Sequence, residues 1–319
     1  MEGWQDFERL AEQIYSELAP DAVVKWNDRI YGHESETKRQ IDVSVRWADN
    51  DDSYLLIVQA KDWSTPADVT AVGEFASVVR DVRASRGIMV CRSGFTETAK
   101  TYARNVGISL HNLHDARSRK WRHELTVPIL WVDLLPRARI AMRVWFGEGD
   151  QIWTPGGFIP LSRVGENTPI DILETFEDHW NGGRASRELD VPHAIRSTEP
   201  LEALVLDKHG EQVRRPVFDF CVLYKVTRRA WLGQFEPHSC RGLINYHDSN
   251  SFLASHLPIG EIPTQRDGSW AEIEDPDKVA PTLRGTFVTT EAYTLERGSS
   301  QFEYFDFGLL KACGSPHEA

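Results

Sequence analysis

The stretch YLLIVQAKDW, residues 54–63, decides how the first third of this chain folds. Five apolar residues run directly into Gln59, Ala60 and Lys61. A nearly continuous apolar run of this length predicts a strand whose sheet is covered on both faces. Removing an ammonium group from water costs several kcal/mol unless the group is paired, so a buried strand normally excludes lysine. The amide and the amine at the end of this strand therefore need an explanation.

The flanking sequence predicts a mixed α/β unit. Apolar residues recur at helical spacing in three segments and at strand spacing around them. Thr96 is expected to cap the third helix and Gly107 to end it. The order α-β-β-β-α-β-α-β predicts a mixed sheet flanked by helices on both faces. The predicted helices cover residues 4–19, 66–84 and 94–107, and the strands include IDVSVRW (41–47), YLLIVQAK (54–61), GIMVC (87–91) and ISLHNL (108–113).

The hairpin before this strand brings three functional groups together. If the loop ADNDDS (48–53) is centred between its two middle residues, antiparallel pairing places Asp42 opposite Gln59. Lys61 points to the same face as Gln59, because side chains alternate along a strand. A carboxylate, an amide oxygen and an ammonium group thus converge at one end of the hairpin.

This combination suits the hydrolysis of phosphodiester bonds. Asp42 and Gln59 offer the hard oxygen ligands that Mg²⁺ prefers, and the carbonyl of Ala60 is a third candidate ligand. Lys61 can stabilise an anionic transition state or help to orient and deprotonate a water molecule. A purely structural alternative stays open, in which Lys61 reaches solvent at the strand end and forms a salt bridge with Asp42.

Several segments in order resemble the PD-(D/E)xK nuclease superfamily, and within it the Mrr-like restriction endonucleases with a QxK motif. The resemblance spans residues 4–115 and rests on RQID, VQAKDW, GIMV, GFTETAKTYA and GISL. It implies a restriction-endonuclease-like mixed sheet and a metal-dependent endonuclease. It also implies Mg²⁺ as the cofactor, with Mn²⁺ as an alternative ion.

The resemblance also assigns roles to individual residues. Asp42 matches the metal-binding aspartate of the family, Gln59 its second acidic or amide position, and Lys61 its catalytic lysine. The first helix of such enzymes often adds a glutamate to the site. Glu8 is the first candidate for that position, and Glu12, one turn later, is its rival.

Two positions depart from the commoner family pattern. Ile41, rather than proline, precedes Asp42, and Gln59 replaces the commoner acidic residue. A neutral amide leaves the site with less negative charge. We therefore expect weaker metal binding until substrate phosphate arrives.

Three residues near the hairpin are candidates for contact with nucleic acid. Lys38 and Arg39 lie in the segment GHESETKRQ before Asp42, where phosphate contact and a solvated loop are both open. Trp63 follows the catalytic lysine position and could stack on a base, with packing against a helix as the alternative.

The length of the chain and a change in its composition predict a second domain. A chain of 319 residues favours two domains over one. From about residue 120 the sequence becomes β-rich and aromatic-rich, up to QFEYFDFGLL (301–310), with one amphipathic helix in TPIDILETFEDHW (168–180). We expect a nuclease domain at 1–118 and a β-rich, sandwich-like accessory domain at 119–319.

Charge and composition limit the classes of partner that we expect the protein to bind. The net charge of −12 argues against a protein that coats nucleic acid by bulk charge, and residues 1–120 hold 16 Lys and Arg against 19 Asp and Glu. No apolar run approaches the ~20 residues of a membrane helix, and the four cysteines form no CxxC pair, so we expect a cytoplasmic protein without a membrane partner.

We expect a DNA endonuclease of restriction or phage defence, with RNA as an open alternative substrate, acting as a homodimer because duplex cleavage needs two sites. Two other functions remain open. The chain could be a nuclease-fold binding or assembly module with silent activity. It could also be a nuclease that a ligand or protein partner switches on through the C-terminal domain.

Overall fold

The computed structural model describes residues 3–49, 52–155, 159–247 and 251–295. Its helices are α1 (Trp4–Leu18), α2 (Val69–Asp81), α3 (Glu97–Val106), α4 (Ile172–Asn181) and α5 (Pro276–Val279). Its strands are β1 (Val23–Tyr31), β2 (Lys38–Asp49), β3 (Asp52–Lys61), β4 (Arg86–Cys91), β5 (Ile108–Asp115), β6 (Val127–Val144), β7 (Leu161–Arg163), β8 (Pro192–Arg196), β9 (Leu201–Leu206), β10 (Gln212–Phe235), β11 (Arg241–Asn245), β12 (Ser251–His256), β13 (Ala271–Ile273) and β14 (Val288–Ala292).

The first sheet has the strand order β1-β2-β3-β4-β5-β11-β12. Strands β1, β2 and β3 are antiparallel neighbours, β3, β4 and β5 run parallel, and β11 is antiparallel to both β5 and β12. The predicted order of helices and strands up to residue 115 and the mixed sheet are confirmed. The addition of β11 and β12 was not predicted.

Helices cover both faces of this sheet. One core cluster joins α1 to the sheet, and the other joins α2 and α3 to the opposite face. The α1 residues Phe7, Leu10 and Ile14 follow the expected helical spacing and are buried. The second cluster is formed mainly by Val72, Phe75, Met89, Ala99, Ala103, Ile108 and Leu110.

The helix ends follow the sequence signals. Thr96 accepts a hydrogen bond from the Ala99 N–H at 3.2 Å, and Gly107 ends α3 with a φ of 74°. Asp68 caps α2 by accepting from the Ala71 N–H at 3.0 Å. The predicted cap and terminus of α3 are thus confirmed, while α2 is shorter than the predicted span of residues 66–84.

The chain forms two compact units. The first comprises Met1–Leu130, Leu232–Ala271 and Asp275–Thr289, and the second comprises Trp131–Trp231, Glu272–Glu274 and Thr290–Ala319. The predicted boundary after residue 118 stays a prediction. The compact units divide the chain differently, because β11 and β12 return to the first sheet.

A second sheet has the strand order β14-β6-β10-β9-β7, and β8 and β13 also pair with β10. Within the second unit, Leu161, Leu201, Ala203 and Val205 form a buried cluster. The predicted amphipathic helix is present as α4, capped by Asp171. The predicted strand at 301–310 lies outside the described residues. Among the described residues, no helix is long and apolar enough to cross a membrane.

Candidate active site at the end of the β2–β3 hairpin

Asp42 is held where the β2–β3 ladder ends. The register pairs Val43 with Val58, as the predicted hairpin geometry requires. One step further, the Ala60 N–H donates to Asp42 Oδ2 at 2.8 Å. The aspartate side chain therefore replaces a backbone carbonyl as the acceptor, which fixes its carboxylate beside the end of β3.

The alternation of side chains in β1 and β2 reverses at Asn27 and Asp42. Val24 and Val43 pack in the α1 cluster, whereas Ile30 and Ile41 pack in the cluster on the opposite face. The β1–β2 ladder keeps one register on both sides but omits the pair between Asn27 and Asp42. Asn27 has a φ of 50°, a left-handed conformation that asparagine adopts more readily than most residues. Such local irregularities re-aim side chains next to active sites.

Glu8 on α1 joins this site. Its side chain is 7% exposed and accepts a hydrogen bond from Trp26 Nε1 at 3.0 Å. Burial raises the pKa of Glu8, and the negative charge of Asp42 raises it further, while the Trp26 hydrogen bond and Lys61 lower it. Its rival Glu12 instead forms a surface ion pair with Arg9 at 3.3 Å. The structure thus brings Glu8, Asp42 and Lys61 within electrostatic reach of one another.

Asp42 has a raised pKa for a related reason. Burial raises the pKa of its carboxyl, and the Ala60 N–H and the charge of Lys61 lower it only in part. Burial thus disfavours the ionised form of both carboxyl groups, and a bound cation would favour it.

Gln59 and Lys61 lie on one face of β3 and have few partners. Among the described residues, the Gln59 amide has no hydrogen bond within 3.5 Å, and no carboxylate lies within 4 Å of the Lys61 ammonium. Lys61 Nζ instead lies 5.4 Å from the centre of the Trp63 ring. The alternative of a direct Asp42–Lys61 salt bridge is therefore not present, although each charge acts on the other at longer range.

The donor set fits a hard divalent cation. Asp42 and Glu8 supply carboxylate oxygens, and Gln59 supplies an uncommitted amide oxygen, which are the ligand types that Mg²⁺ takes. Across the described ranges, no group of three or more His, Cys, Asp or Glu side chains is arranged around a metal position. A site with two carboxylates and one neutral amide would bind metal loosely before substrate phosphate adds its oxygens.

The three candidate nucleic-acid contacts differ in their surroundings. The Trp63 side chain is 42% exposed, so its ring is not packed beneath a helix. Lys38 is exposed at the start of β2. Arg39 lies 3.6 Å from Asp81, which makes it the least available of the three.

Two residues that position the site were not predicted from the sequence. Trp26 holds Glu8, and Asp62, directly after Lys61, is a carboxylate only 6% exposed that binds Lys120 and lies 3.4 Å from Arg92. The partners of Asp62 are 30 and 58 residues away along the chain, so no local sequence pattern predicts these contacts. The only sequence signal is a second charge beside Lys61.

Comparison with known proteins identifies the first part of the chain. Residues 1–116 match the family model Mrr_cat, described as restriction endonuclease. The solved structure of a protein of unknown function, AF1548, is 19% identical, with a TM-score of 0.28, covering 34% of this chain and 56% of that chain. The MspJI restriction endonuclease in complex with a 27-mer oligonucleotide is 19% identical, with a TM-score of 0.24, covering 33% of this chain and 25% of that chain. The matched region thus spans about half of the first structure and a quarter of the second.

No curated protein matches the chain. The family match, in contrast, covers the helices and strands that carry the described site. Residues 1–116 therefore form a domain that matches the Mrr_cat family, whose model is described as restriction endonuclease.

Proposed function

We propose that the chain is a metal-dependent endonuclease that hydrolyses phosphodiester bonds of DNA. The observation that carries the proposal is the pair of carboxylates, the buried Glu8 and the partly buried Asp42, beside Lys61 in a domain that matches the restriction endonuclease family. Burial holds both pKa values above those of ordinary carboxyls, and the charge of Asp42 adds to the rise for Glu8, an environment that is typical of functional sites.

Each residue has a distinct task in this mechanism. A bound Mg²⁺ or Mn²⁺ supplies charge compensation and an activated water. Asp42, Glu8, Gln59 and the Ala60 carbonyl are the candidate ligands. The ammonium of Lys61 offsets the negative charge that builds on the phosphate in the transition state, and it orients the attacking water. The Ala60 N–H keeps the Asp42 carboxylate in place throughout.

We also propose how the enzyme contacts DNA, how it assembles and where it acts. Lys38 contacts backbone phosphate and Trp63 stacks on a base exposed near the cut, with Arg39 contributing only after release from Asp81. Cutting both strands of a duplex requires two sites, which favours a homodimer. We place the activity in the cytoplasm, in restriction or antiviral defence, where a DNA endonuclease acts on incoming DNA.

A plasmid assay tests the proposal. Purified protein is incubated with supercoiled DNA and Mg²⁺ or Mn²⁺, with and without EDTA. We expect cleavage that EDTA abolishes and that falls by a factor of about 10² or more in Lys61→Ala and Asp42→Ala. Lys208→Ala, which changes an exposed lysine of the second unit, is the matched control and should cut at the wild-type rate. Wild-type rates in folded Lys61→Ala and Asp42→Ala would refute the site.

One observation favours a second candidate, a nuclease that a ligand switches on. The second unit contains a cavity of about 300 Å³, at the lower end of ligand-site volumes. Its lining is apolar at Leu161, Phe176 and Phe220 and includes the exposed Arg196. This combination suits a small ligand with an apolar body and one negatively charged group.

The ligand-dependent candidate is tested with the same plasmid. Cleavage should then be absent in purified protein with Mg²⁺ and appear on adding the fraction of a bacterial lysate below about 1 kDa. A cavity-filling Thr175→Trp variant should not respond. Full cleavage without any addition would contradict this candidate. DNA binding without cleavage under every condition would favour the silent binding module.

A further inference from the structure

The turn after β5 carries a concentration of positive charge in an otherwise acidic protein. Within residues 116–123, here called the basic loop, the sequence ARSRKWRH holds three arginines and one lysine. Arg117, Arg119 and Arg122 are exposed. None of the three forms an ion pair with any residue that the structure describes. Their charges are therefore available to a ligand.

The basic loop is folded onto the domain and does not extend from it. The Ser118 hydroxyl accepts the N–H groups of Lys120 and Trp121, each at 3.1 Å. Asp115 accepts the N–H of Arg117 through its side chain at 2.9 Å. Trp121 is 5% exposed, and its ring centre lies 5.5 Å from that of Phe7 on α1. A loop fixed in this way holds its arginines without a large ordering cost.

One contact places the basic loop beside the candidate catalytic lysine. The Lys120 ammonium binds the carboxylate of Asp62, the residue that follows Lys61 in the chain. Consecutive Cα atoms lie 3.8 Å apart, so with the length of the Asp62 side chain the Lys120 ammonium lies within about 10 Å of the Lys61 Cα. Duplex DNA carries one charge per ~1.7 Å of axis, so a duplex cut at Lys61 has roughly six phosphates over that distance.

We infer that Arg117, Arg119 and Arg122 form a binding site for the DNA phosphates that flank the bond to be cut. The inference rests on the proposed function, because it takes Lys61 as the point of cutting. Arginine suits this task, since its guanidinium group is always charged and binds phosphate oxygens in pairs. The loop supplies affinity and register, and no base selectivity.

The salt dependence of binding tests the inference without any cleavage. Affinity for a fluorescent 20-base-pair duplex is measured by anisotropy in EDTA between 50 and 200 mM NaCl. Each lost phosphate contact lowers the slope of log K against log[salt] by about 0.9. We expect the triple variant Arg117→Gln, Arg119→Gln, Arg122→Gln to lose about 2–3 from the slope and to bind roughly tenfold or more weakly at 100 mM salt.

The matched control removes three other exposed arginines of the same unit. The variant Arg83→Gln, Arg86→Gln, Arg104→Gln has the same change in net charge. Arg86 pairs with Leu56, five residues before Lys61 on β3 and therefore about 16 Å from it. The control should keep the wild-type slope. Thermal melts of both variants verify that the fold is intact.

Several results would overturn the inference. They are a wild-type slope in the loop variant, an equal loss in the control, or no binding of DNA by the wild-type protein. A larger loop-dependent slope on duplex RNA of the same sequence would overturn the assignment to DNA. If the loop dependence is found but wild-type protein never cuts plasmid with Mg²⁺ or Mn²⁺, the proposed catalysis fails while the phosphate site stands.

Discussion

The two carboxylates of the candidate site weaken the fold that carries them. Glu8 is buried and Asp42 is partly buried, burial raises the pKa of both, and the negative charge of Asp42 raises the pKa of Glu8 further. Above its raised pKa in the folded protein, each group is ionised in both states but is better solvated in the unfolded chain. This cost is present at neutral pH. It disappears as the pH falls through the folded pKa, because the folded protein then takes up a proton.

We therefore expect Asp42→Asn to stabilise the metal-free protein by about 0.5–2 kcal/mol at pH 7, since an asparagine oxygen can still accept the Ala60 N–H. Thermal unfolding in EDTA measures the gain, which should shrink as the pH is lowered through the raised pKa of Asp42. Adding Mg²⁺ should raise the melting temperature of wild-type protein and leave that of the variant unchanged. Glu12→Gln, one turn along α1, is the control. A variant less stable than wild type would show that the carboxylate is structural.

We expect Gln59 to set the metal requirement of the proposed site. Gln59→Glu adds a third carboxylate beside Asp42, so cleavage should persist and reach its half-maximal rate at a several-fold lower Mg²⁺ concentration. Without metal the same variant should be less stable than wild type. Titration of Mg²⁺ in the plasmid assay measures the change, with Gln40→Glu on β2 as an exposed control. An unchanged or higher Mg²⁺ requirement would place Gln59 outside the metal shell.

The sequence could predict Asp42, Gln59 and Lys61 as neighbours because a two-residue period and one short loop fix their positions. It could not choose firmly between Glu8 and Glu12. That choice depends on how α1 is rotated over the sheet, which the Trp26 hydrogen bond reports. Asp62 was missed for the same reason, because its partners come from distant segments.

At the scale of elements, the reversal of side-chain alternation in β1 and β2 lets the same two strands contribute to two hydrophobic cores. On one side of Asn27 and Asp42 the strands supply the α1 core, and on the other side they supply the α2–α3 core. A regular ladder would leave Asp42 among apolar side chains or turn it away from Glu8. The irregularity sets the direction of the Asp42 carboxylate at the boundary between the two cores.

The backbone at Asn27 offers a test of this idea. Asn27→Val should cost about 1–3 kcal/mol, because a β-branched residue is strained at a φ of 50°, and it should lower cleavage at saturating Mg²⁺. Asn27→Gly should keep most of the activity, since glycine adopts this conformation freely. Chemical denaturation and the plasmid assay measure the two effects. Arg29→Val, on the same strand, is the control for the added β-branch, and an equal loss there would refute a special role for Asn27.

Helix ends and hairpin register could be predicted from sequence because they depend on residues a few positions apart. The cap at Thr96, the end at Gly107 and the Val43–Val58 register are such cases. The reversal at Asn27 could not be predicted. Asparagine is common in turns, and nothing nearby marks it as the middle of a nine-residue strand.

At the scale of the whole molecule, the first sheet is completed by a distant part of the chain. Gly242 on β11 pairs with His114 on β5, and Leu243 is buried in the α1 cluster. No local pattern links strands that lie more than a hundred residues apart. The predicted accessory region at 119–319 was assigned as one block for this reason.

Because β11 and β12 complete the first sheet, we can predict which shortened forms of the chain will fold. A fragment of residues 1–118 should aggregate, because it exposes the edge of β5 and loses both Trp121 and Leu243 from the core. A variant that joins Leu130 to Leu232 through a short Gly-Ser linker, omitting residues 131–231, should remain folded. Gel filtration and cooperative thermal unfolding distinguish them. A soluble, cooperatively folded 1–118 fragment would contradict this prediction.

The late arrival of β11 and β12 also sets the timing of assembly on the ribosome. The last residue of β5 is Asp115, and β12 ends at His256. At 5–20 residues per second, synthesis of the intervening chain takes roughly 7–28 s. Throughout that interval the residues around Lys61 have emerged, but the sheet behind them lacks two strands. Nascent chains should therefore acquire a protease-resistant first unit only after His256 has left the exit tunnel, which keeps the proposed DNA-cutting surface incomplete for most of its synthesis.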